Sequence, residues 1–384
     1  MDKVRIGDIC TVVSGSTPKS NIEEYWNGDI KWITPAEITD DSYVISDTER
    51  HITEKAVEKT NLTLLPVGAV LLSSRAPIGK TAIVGAEMYC NQGFKNLICS
   101  ERIYNKYLYF FLTSKVDYLN ALGRGATFKE ISKGIVEDVE IPLPSLDEQK
   151  KIAERFEAIQ QLISKRKQVL LHLDNLVKSR FIEMFGDLET NPKGWKTTTF
   201  DDVSVKITDG EHATVPRVED GYIFLNARNV LKAGKIDLTG VTYISEENHN
   251  RIYKRCNPEP GDILLTTTGT IGNVAIVPEM DAFSMDRGIT LIKQDRSVIN
   301  SVFFAVAMQM DSMQMHMKNS IHASAIGHLF MNKVKALPIF VPPLDLQNQF
   351  ADFVALTDKS KLAVQQSIET LQTLKAKLMQ DYFG

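Results

Sequence analysis

Cysteine is scarce in this sequence, with four residues in a chain of 384. Cys10, Cys90, Cys99 and Cys256 form no CxxC pair and have no histidine at zinc-ligand spacing. Structural zinc sites and disulfide frameworks both need several closely spaced cysteines, so this spacing argues against either. We expect reduced thiols packed in the interior and no bound metal.

Long apolar runs are also missing, and none approaches the roughly 20 residues needed to span a bilayer. The first residues lack the pattern of a signal peptide. Hydrophobic residues at 43% and charged residues at 24% are typical of a globular protein with a substantial core. The prediction is a cytoplasmic protein without membrane contact, and its length favours two or three domains.

Motifs that carry catalysis are absent as well. The sequence contains no Gly-x-Gly-x-x-Gly, no Asn-Pro-Pro tetrapeptide, no Walker pair and no His-Glu-x-x-His. Segment 74–81 nearly spells a phosphate-binding loop, but Ser74 stands where the first glycine belongs. We therefore expect a chain without catalytic machinery of its own.

Positive charge is not in excess, because 44 basic residues face 48 acidic ones and the formal net charge is -4. Taken alone, this balance counts against a nucleic-acid partner. The distribution is uneven, however. Residues 1–67 carry 7 basic and 12 acidic side chains, whereas residues 68–133 carry 9 basic and 4 acidic. One part of the N-terminal half is therefore suited to face phosphate groups.

The sequence does contain an internal repeat. Residues 68–84 match residues 261–277 without a gap, and eight of these seventeen positions are identical. A second match pairs residues 144–149 with residues 342–347 at an offset of 198. The chain is thus one unit of about 190 residues written twice, each with a variable part, a proline-marked segment and a helix.

The helical segments show apolar residues at alternating spacings of three and four, which indicates a coiled coil. Ser145 and Glu148 fit a capping box at the first helix start, and Gly186 fits its end. About 38 residues at 1.5 Å each make a rod of roughly 57 Å. The predicted helix-helix and partner interface comprises Ile152, Phe156, Ile159, Ile163, Leu170, Leu173 and Val177, with Phe350, Val354, Ile368, Leu371 and Leu378 in the second copy.

With this repeat and the Pro-Leu-Pro-x-Leu-x-Glu-Gln run at 142–149, the chain resembles the specificity subunits of type I restriction-modification systems. The likeness covers essentially the whole chain. Segment 209–216 is similar to a recurrent opening of their recognition domains. The second helical copy departs from the pattern, with Leu346 where the first has Glu148.

The resemblance implies a non-catalytic DNA-binding subunit in which each of two target-recognition domains binds one half of a bipartite double-stranded target. It implies that the helices set the spacer and dock two methyltransferase subunits. Those subunits bring S-adenosylmethionine, and restriction subunits add translocation and cleavage that depend on ATP and magnesium. This chain itself is expected to bind no cofactor.

The predicted fold class is mixed α/β, with two target-recognition domains joined by two long antiparallel coiled-coil helices in a pseudo-two-fold repeat. Domain 1 is predicted at residues 1–144 and domain 2 at 187–342. The central helical spacer is predicted at 145–186 and the C-terminal one at 343–384. We expect the two recognition domains to fold alike, because they carry the same repeated segments.

Candidate DNA contacts come from matched turn-like segments and from the basic, amide and hydroxyl side chains near them. Such side chains donate to phosphates or base edges, and small residues let the backbone approach a ligand. Because the two domains differ at nearly every such position, the predicted target is asymmetric. The predicted DNA-binding residues are Lys19, Arg75, Lys80, Gln92, Lys95, Arg124, Thr127 and Lys129, with His212, Asn226, Arg228, Thr268, Asn273, Arg287, His322, Ser324 and His328 in the second domain.

Two other classes of function stay open. One is an enzyme, either a nucleotide hydrolase that uses Lys80 or a nuclease with unrecognised carboxylates. In the matching repeat Asn273 replaces Lys80, so a nucleotide loop would exist in only one of two equivalent folds. The other class is a coiled-coil adaptor that binds only protein. The favoured interpretation of segment 74–81 is a turn that presents Arg75 and Lys80 to DNA, with a purely structural turn as the alternative.

Overall fold

The chain forms two compact units in the computed structural model. The first unit comprises Met1–Lys167 and Gln366–Gly384, and the second comprises Gln168–Gln365. The predicted boundaries at 144, 186 and 342 divide the chain differently and stay a prediction. The structure describes residues 2–39, 41–75, 77–125, 129–232, 234–321 and 327–384.

The first unit begins with short strands and helices and ends in a long helix. Three short 3-10 helices, Ile6–Asp8, Glu23–Tyr25 and Pro35–Glu37, lie between them. The other elements are, in chain order, β1 (Lys3–Arg5), β2 (Cys10–Ser14), β3 (Trp26–Ile33), β4 (Val44–Ile45), β5 (His51–Ile52), α1 (Glu54–Lys59), β6 (Val70–Leu72), β7 (Thr81–Val84), β8 (Tyr89–Cys90), β9 (Lys95–Cys99), α2 (Asn105–Ser114), α3 (Val116–Leu122), α4 (Lys133–Glu137), β10 (Glu140–Pro142) and α5 (Leu146–Phe185).

The largest sheet of the first unit has the strand order β2-β9-β6-β7-β4 and separates two apolar cores. Successive side chains of a strand point to opposite faces of its sheet. Val70 and Leu72 accordingly belong to a core with Phe110 of α2, whereas Leu71 belongs to a core with Phe94. A smaller sheet has the order β5-β3-β8, and β1 pairs with β10.

The second unit contains a matching series of elements and one 3-10 helix at Ala227–Asn229. In chain order these are β11 (Thr197–Thr199), β12 (Ser204–Asp209), β13 (Tyr222–Leu225), β14 (Thr242–Ile244), α6 (Glu246–Tyr253), β15 (Ile263–Thr266), β16 (Val274–Ile276), β17 (Ser284–Met285), β18 (Ile289–Gln294), α7 (Ser301–Gln309), α8 (Asp311–Asn319), α9 (Met331–Lys335), β19 (Pro338–Phe340) and α10 (Leu344–Phe383).

The sheets of the second unit repeat those of the first. Strand order β12-β18-β15-β16 corresponds to β2-β9-β6-β7, β14-β13-β17 corresponds to β5-β3-β8, and β11-β19 corresponds to β1-β10. The central strand again divides two cores, because Ile263 and Leu265 lie in one and Leu264 in the other. The prediction of two copies of a mixed α/β domain is confirmed.

A pair of antiparallel helix segments closes each unit. In the first unit Phe156 of α5 stacks on Phe383 of α10 with ring centroids 5.8 Å apart. Four residues further along α5, Gln160 accepts a hydrogen bond from Lys375 of α10 at 3.4 Å. Positions that rise along α5 therefore meet positions that fall along α10, which defines an antiparallel pair.

The second unit contains the same arrangement, built from the other ends of the two helices. Phe181 of α5 lies 5.6 Å from Phe350 of α10, and Asp174 pairs with Lys361 at 2.8 Å. Each of the two helices is 40 residues long, or about 60 Å at 1.5 Å per residue. Of the predicted interface residues, Ile152, Phe156, Ile159, Val177, Phe350, Val354 and Ile368 are buried, and Ile163, Leu170, Leu173, Leu371 and Leu378 are half-buried.

A buried glutamine anchors the start of each long helix to its own unit. The amide oxygen of Gln149 accepts from the backbone NH of Tyr104 at 2.8 Å, and its amide nitrogen donates to the Pro144 carbonyl at 2.9 Å. Gln347 makes the equivalent bonds with Asn300 at 2.8 Å and Pro342 at 2.8 Å. The last residue of the Pro-Leu-Pro-x-Leu-x-Glu-Gln run thus ties helix to domain in both copies.

The cysteines are free thiols, and Cys10, Cys90 and Cys256 are buried while Cys99 is half-buried. Within the part of the chain that the structure describes, no group of His, Cys, Asp and Glu side chains is arranged to hold a metal ion. Over those same residues, no helix combines the length and apolar character required to cross a membrane.

Candidate nucleic-acid interface

Five loops of the first unit meet beside its largest sheet, and we call this surface the first loop face. It comprises residues 15–19, 34–37, 73–80, 91–93 and 124–130, except for 76 and 126–128, which lie outside the described residues. The backbone NH of Ser74 donates to the Gly93 carbonyl at 2.7 Å, and that of Ile131 donates to the Ser74 carbonyl at 3.0 Å. The loop after β6 therefore lies between two others.

The loop after β6 is a tight turn closed by one hydroxyl group. The hydroxyl of Ser73 donates to the Pro77 carbonyl at 2.6 Å and accepts from the backbone NH of Lys80 at 2.8 Å. Gly79 has φ of +98°, a conformation that a side chain disfavours. Lys80 itself donates to the Pro35 carbonyl at 3.1 Å, so its ammonium group ties two loops of the face together.

Gln92 stands at the tip of the turn after β8. The backbone NH of Gly93 donates to the side-chain oxygen of Asn91 at 2.7 Å, which closes the turn and leaves Gln92 exposed. The hydroxyl of Thr17 donates to the amide oxygen of Gln92. A Cβ atom at Gly15 would lie 1.9 Å from the Asn91 carbonyl oxygen, so this close approach requires glycine.

A cleft of about 480 Å³ opens in the first loop face. Arg75 is half-buried and lines it together with Asn91 and Glu130. Lys95, which was predicted to bind DNA, is 8% exposed on β9, and its ammonium group lies 3.2 Å from Glu130. Its charge therefore acts on a neighbouring carboxylate within the unit.

Lys19, Arg124 and Lys129 are exposed cations of the first loop face. Arg124 exchanges two backbone hydrogen bonds with Glu130, at 3.0 and 2.9 Å, which fixes the start and end of its loop. Thr127 lies outside the described residues. Sequence reasoning missed Glu130 altogether, because a single acidic residue in a basic segment carries no motif.

Five equivalent loops form the second loop face, at residues 210–212, 226–230, 266–273, 286–288 and 327–329. Thr267 occupies the place of Ser74. Its backbone NH donates to the Gly288 carbonyl at 2.9 Å, and its carbonyl accepts from Leu329 at 2.9 Å. The two units therefore assemble their loop faces in the same way.

The turn after β15 repeats the Ser73 turn. The hydroxyl of Thr266 donates to the Thr270 carbonyl and accepts from the backbone NH of Asn273 at 3.0 Å. Gly272 has φ of +91°. The side chain of Asn273 donates to the Val230 carbonyl at 2.8 Å, as Lys80 does to its own neighbouring loop. In both units a hydroxyl group of the turn itself therefore closes the incomplete phosphate loop.

Arg287 occupies the turn tip that Gln92 holds in the first unit. The backbone NH of Gly288 donates to Asp286 at 2.8 Å, and Arg287 is exposed. Burial raises the pKa of Asp286 against the opposing effects of that backbone hydrogen bond and of Arg217 and Arg287. The second loop face thus carries a solvent-facing guanidinium above a partly desolvated carboxyl group.

Asn226 caps the 3-10 helix after β13, because its side chain accepts from the backbone NH of Arg228 at 3.2 Å. Arg228 is exposed, and the matching residue of the first unit is Ala36. His212 is also exposed, with its ring nitrogen 3.7 Å from Asp209. Arg228 thus presents a cation that the first loop face does not have at the equivalent site.

Thr268 and His328 face each other across an isolated antiparallel bridge, the counterpart of the bridge between Arg75 and Glu130. The hydroxyl of Thr268 lies 2.7 Å from Nδ1 of His328, so this hydrogen bond orients the imidazole ring. The predicted contacts His322 and Ser324 lie outside the described residues.

The family model described as the type I restriction modification DNA specificity domain matches this chain twice, at residues 1–172 and 192–373. The MjaIX type I restriction enzyme specificity subunit of Methanocaldococcus jannaschii is 30% identical over 403 aligned residues. That alignment covers 98% of this chain and 91% of the relative. Both findings extend over most of the sequence and include both loop faces.

Two solved structures share the fold over the full length of this chain. One is a type I restriction-modification S subunit from M. genitalium, with a TM-score of 0.56, 16% identity and 96% of that chain covered. The other comes from work on complex assembly and conformational transition of the type I R-M system, with a TM-score of 0.63, 17% identity and 97% coverage.

Proposed function

This chain belongs to the family of type I restriction-modification DNA specificity proteins, and from that premise we propose that each loop face binds one half of a bipartite DNA target. Specificity subunits are not themselves the enzymes of such systems, because the methylase and nuclease activities lie on other subunits. The proposed half-sites differ in sequence, so the full target is asymmetric.

One observation carries this proposal: the same scaffold of loops presents different side chains in the two units. Ser73 and Thr266 close equivalent turns, while the neighbouring turn tips carry Gln92 and Arg287. Amide side chains pair with adenine and guanidinium groups pair with guanine in the major groove. A shared framework with divergent donors is what binding to two unlike half-sites requires.

The exposed cations supply the part of DNA affinity that does not depend on sequence. Lys19, Arg124 and Lys129 serve the first loop face, and Arg228 serves the second, where the imidazole of His212 adds a further hydrogen-bonding group. Contacts to phosphates position a protein on the duplex and make its affinity sensitive to salt. Lys80, Lys95 and Asn273 bind groups within their own unit, and we assign them to holding the loops rather than to DNA.

We assign the long helices to setting the spacer and docking two methyltransferase subunits. Their length of about 60 Å exceeds the 34 to 36 Å repeat of the DNA helix. Leu162, Val169 and Leu176 of α5 recur every seven residues and stay exposed. Exposed apolar side chains in such a row are suited to contact another protein.

Cofactors belong to the partners in this proposal. The methyltransferase subunits bring S-adenosylmethionine, and restriction subunits bring the ATP and magnesium needed for translocation and cleavage. This chain contributes the DNA contacts and the docking helices.

Methylome mapping tests the proposed function. The chain is expressed together with its methyltransferase subunit in a host that has no other adenine methylation, and methylated positions are mapped across the genome. We expect one bipartite asymmetric motif with a constant spacer. Methylation without a sequence motif, or a palindromic motif, would contradict the proposal.

The competing nucleotide-hydrolase hypothesis has less support. Its key residue, Lys80, donates to the Pro35 carbonyl, and the turn around it is closed by the Ser73 hydroxyl. A phosphate-binding loop needs its backbone NH groups and lysine free for phosphate oxygens. ATP hydrolysis by the purified chain, lost in Lys80→Ala, would restore that hypothesis.

A further inference from the structure

Arg75 and Glu130 form a pair of complementary groups inside the cleft of the first loop face. They are direct partners across an isolated antiparallel bridge, and both line the cleft. Directly opposed residues of such a bridge have Cβ atoms about 5 Å apart. A guanidinium group and a carboxylate are therefore presented side by side toward the same opening.

Both groups have binding capacity to spare. One oxygen of Glu130 lies 3.2 Å from the Lys95 ammonium group, and 43% of the Glu130 side chain remains exposed. Among the described residues, the second Glu130 oxygen has no donor, and the guanidinium group of Arg75 forms no hydrogen bond or ion pair. Lys95 thus holds one oxygen of the Glu130 carboxylate in place. The other Glu130 oxygen and the guanidinium donors of Arg75 remain available to a ligand in the cleft.

A carboxylate at a DNA-binding surface needs a specific partner, because phosphate groups repel it. The major-groove edge of a C·G base pair supplies one. Cytosine offers an amino group as donor, and the guanine paired with it offers O6 and N7 as acceptors. The donor fork of arginine and the acceptor of glutamate match these atoms in type and in adjacent order.

We propose that Arg75 and Glu130 together bind one C·G base pair of the half-site contacted by the first unit, with Glu130 accepting from cytosine and Arg75 donating to guanine. Glu130 is therefore a specificity-determining residue, and Lys95 positions it. The inference rests on the proposed function and assigns a base pair to one of its contacts. If the base pair were reversed, the Glu130 carboxylate would face the guanine acceptors O6 and N7 and be repelled by them. This repulsion adds to the preference for C·G over G·C.

The second unit carries a different pair at the equivalent bridge. Thr268 and His328 replace Arg75 and Glu130, and their mutual hydrogen bond of 2.7 Å orients the imidazole. No carboxylate stands at this place in the second loop face. The C·G preference is accordingly expected in one half-site only, which links the base preference to one unit of the chain.

Methylome mapping of single variants in the assembled methyltransferase complex tests the inference. Glu130→Gln keeps the size of the side chain, and Arg75→Ala removes the partner. Both are expected to relax specificity at the same base pair, which is C·G in the wild-type motif, by roughly 5- to 150-fold. Glu101→Gln changes an exposed carboxylate outside the loop face and should leave the motif unchanged.

Three outcomes would overturn the inference: an unchanged motif in Glu130→Gln, different positions relaxed in the two variants, or an A·T pair at the relaxed position. Continued methylation of wild-type sites by Glu130→Gln shows that the variant folds and assembles. A wild-type complex that methylates without any sequence motif would instead contradict the proposed function. The two failures are thus distinguishable.

Discussion

The two loop faces share one backbone scaffold and differ in their outward side chains. The hydroxyls of Ser73 and Thr266 close equivalent turns in the two units. Asn91 and Asp286 accept equivalent backbone hydrogen bonds. The side chains that point outward from this scaffold are unlike. Hydrogen bonds within the loops therefore preserve the shape of each face while its chemistry varies.

The cations illustrate how the difference arises. The first face has Arg75 where the second has Thr268, and the second has Arg228 where the first has Ala36. Each face thus carries an arginine on a loop whose counterpart in the other face is uncharged at that position. Two faces of the same shape can in this way recognise unlike half-sites.

The largest expected effect concerns a feature that the two units share. Gln149→Ala removes the side-chain partners of the Tyr104 backbone NH and the Pro144 carbonyl. Gln347→Ala does the same to the Asn300 NH and the Pro342 carbonyl in the second unit. Each should lower the free energy of unfolding of its unit by about 3 kcal/mol, measured by chemical denaturation. Gln161→Ala, at an exposed site of α5, is the control. Unequal losses in the two units would break the proposed equivalence.

Base recognition should separate the units. Arg287→Ala is expected to relax specificity at one position of one half-site by about 1 to 3 kcal/mol, because an exposed guanidinium group pairs with guanine through two hydrogen bonds. Arg75→Ala should change only the other half-site. Methylome maps of the two variants decide this, and changes in the same half-site would refute the assignment of one unit to each half.

Two lysines of the helix pairs should respond to pH with opposite signs. Burial lowers the pKa of Lys375, and the nearby Lys167 lowers it further. Burial also acts on Lys361, but hydrogen bonds to Asp174 and Asp358 outweigh it and raise the pKa. The charged form of Lys375 therefore destabilises the first unit, whereas the charged form of Lys361 stabilises the second.

Lys375→Met should accordingly raise the free energy of unfolding at pH 7, because it removes a charge that burial disfavours. The gain should shrink as pH rises toward 10.5, the ordinary lysine pKa, because the wild-type lysine becomes neutral in both states. Lys361→Met should lower stability below pH 10.5, and that loss should disappear once pH exceeds the raised pKa. Denaturation at pH 7 and 9 measures the sign of each effect, and equal signs would contradict the comparison.

The smallest effect is expected from an exposed cation of one face. Lys129→Gln should weaken DNA binding equally for all sequences and reduce the slope of log affinity against log salt by about 0.9. Titrations of the assembled complex at several salt concentrations measure that slope. A changed methylation motif in this variant would show that Lys129 contacts a base and not a phosphate.

The duplicated fold and the long helices were predictable from the sequence because they rest on local periodicity. The match of 68–84 with 261–277 implies two copies of one domain, and spacings of three and four imply two helices. The family was recognised from this repeat together with the run at 142–149. The anchoring role of Gln149 was not, since it depends on Tyr104, 45 residues away.

Only some residues of the candidate site could be predicted from the sequence. Exposed Gln92 and Arg287 were predicted from the matched turns, because a turn places its central residue in solvent whatever surrounds it. Lys80 and Lys95 were predicted to contact DNA, yet the structure joins them to Pro35 and Glu130. Residue type alone does not distinguish a cation that faces solvent from one that holds a loop. The distinction requires knowledge of the groups around the cation.

By itself, the sequence determined the repeat, the helical spacing and the turn residues, because each depends on neighbours within a few positions or on comparison with the second copy. The tertiary structure decided which charged groups are free. Glu130 reaches the cleft beside Arg75 because the chain returns 55 residues later to form an antiparallel bridge with it. Pairings over such distances arise from the path of the backbone, which no local pattern encodes.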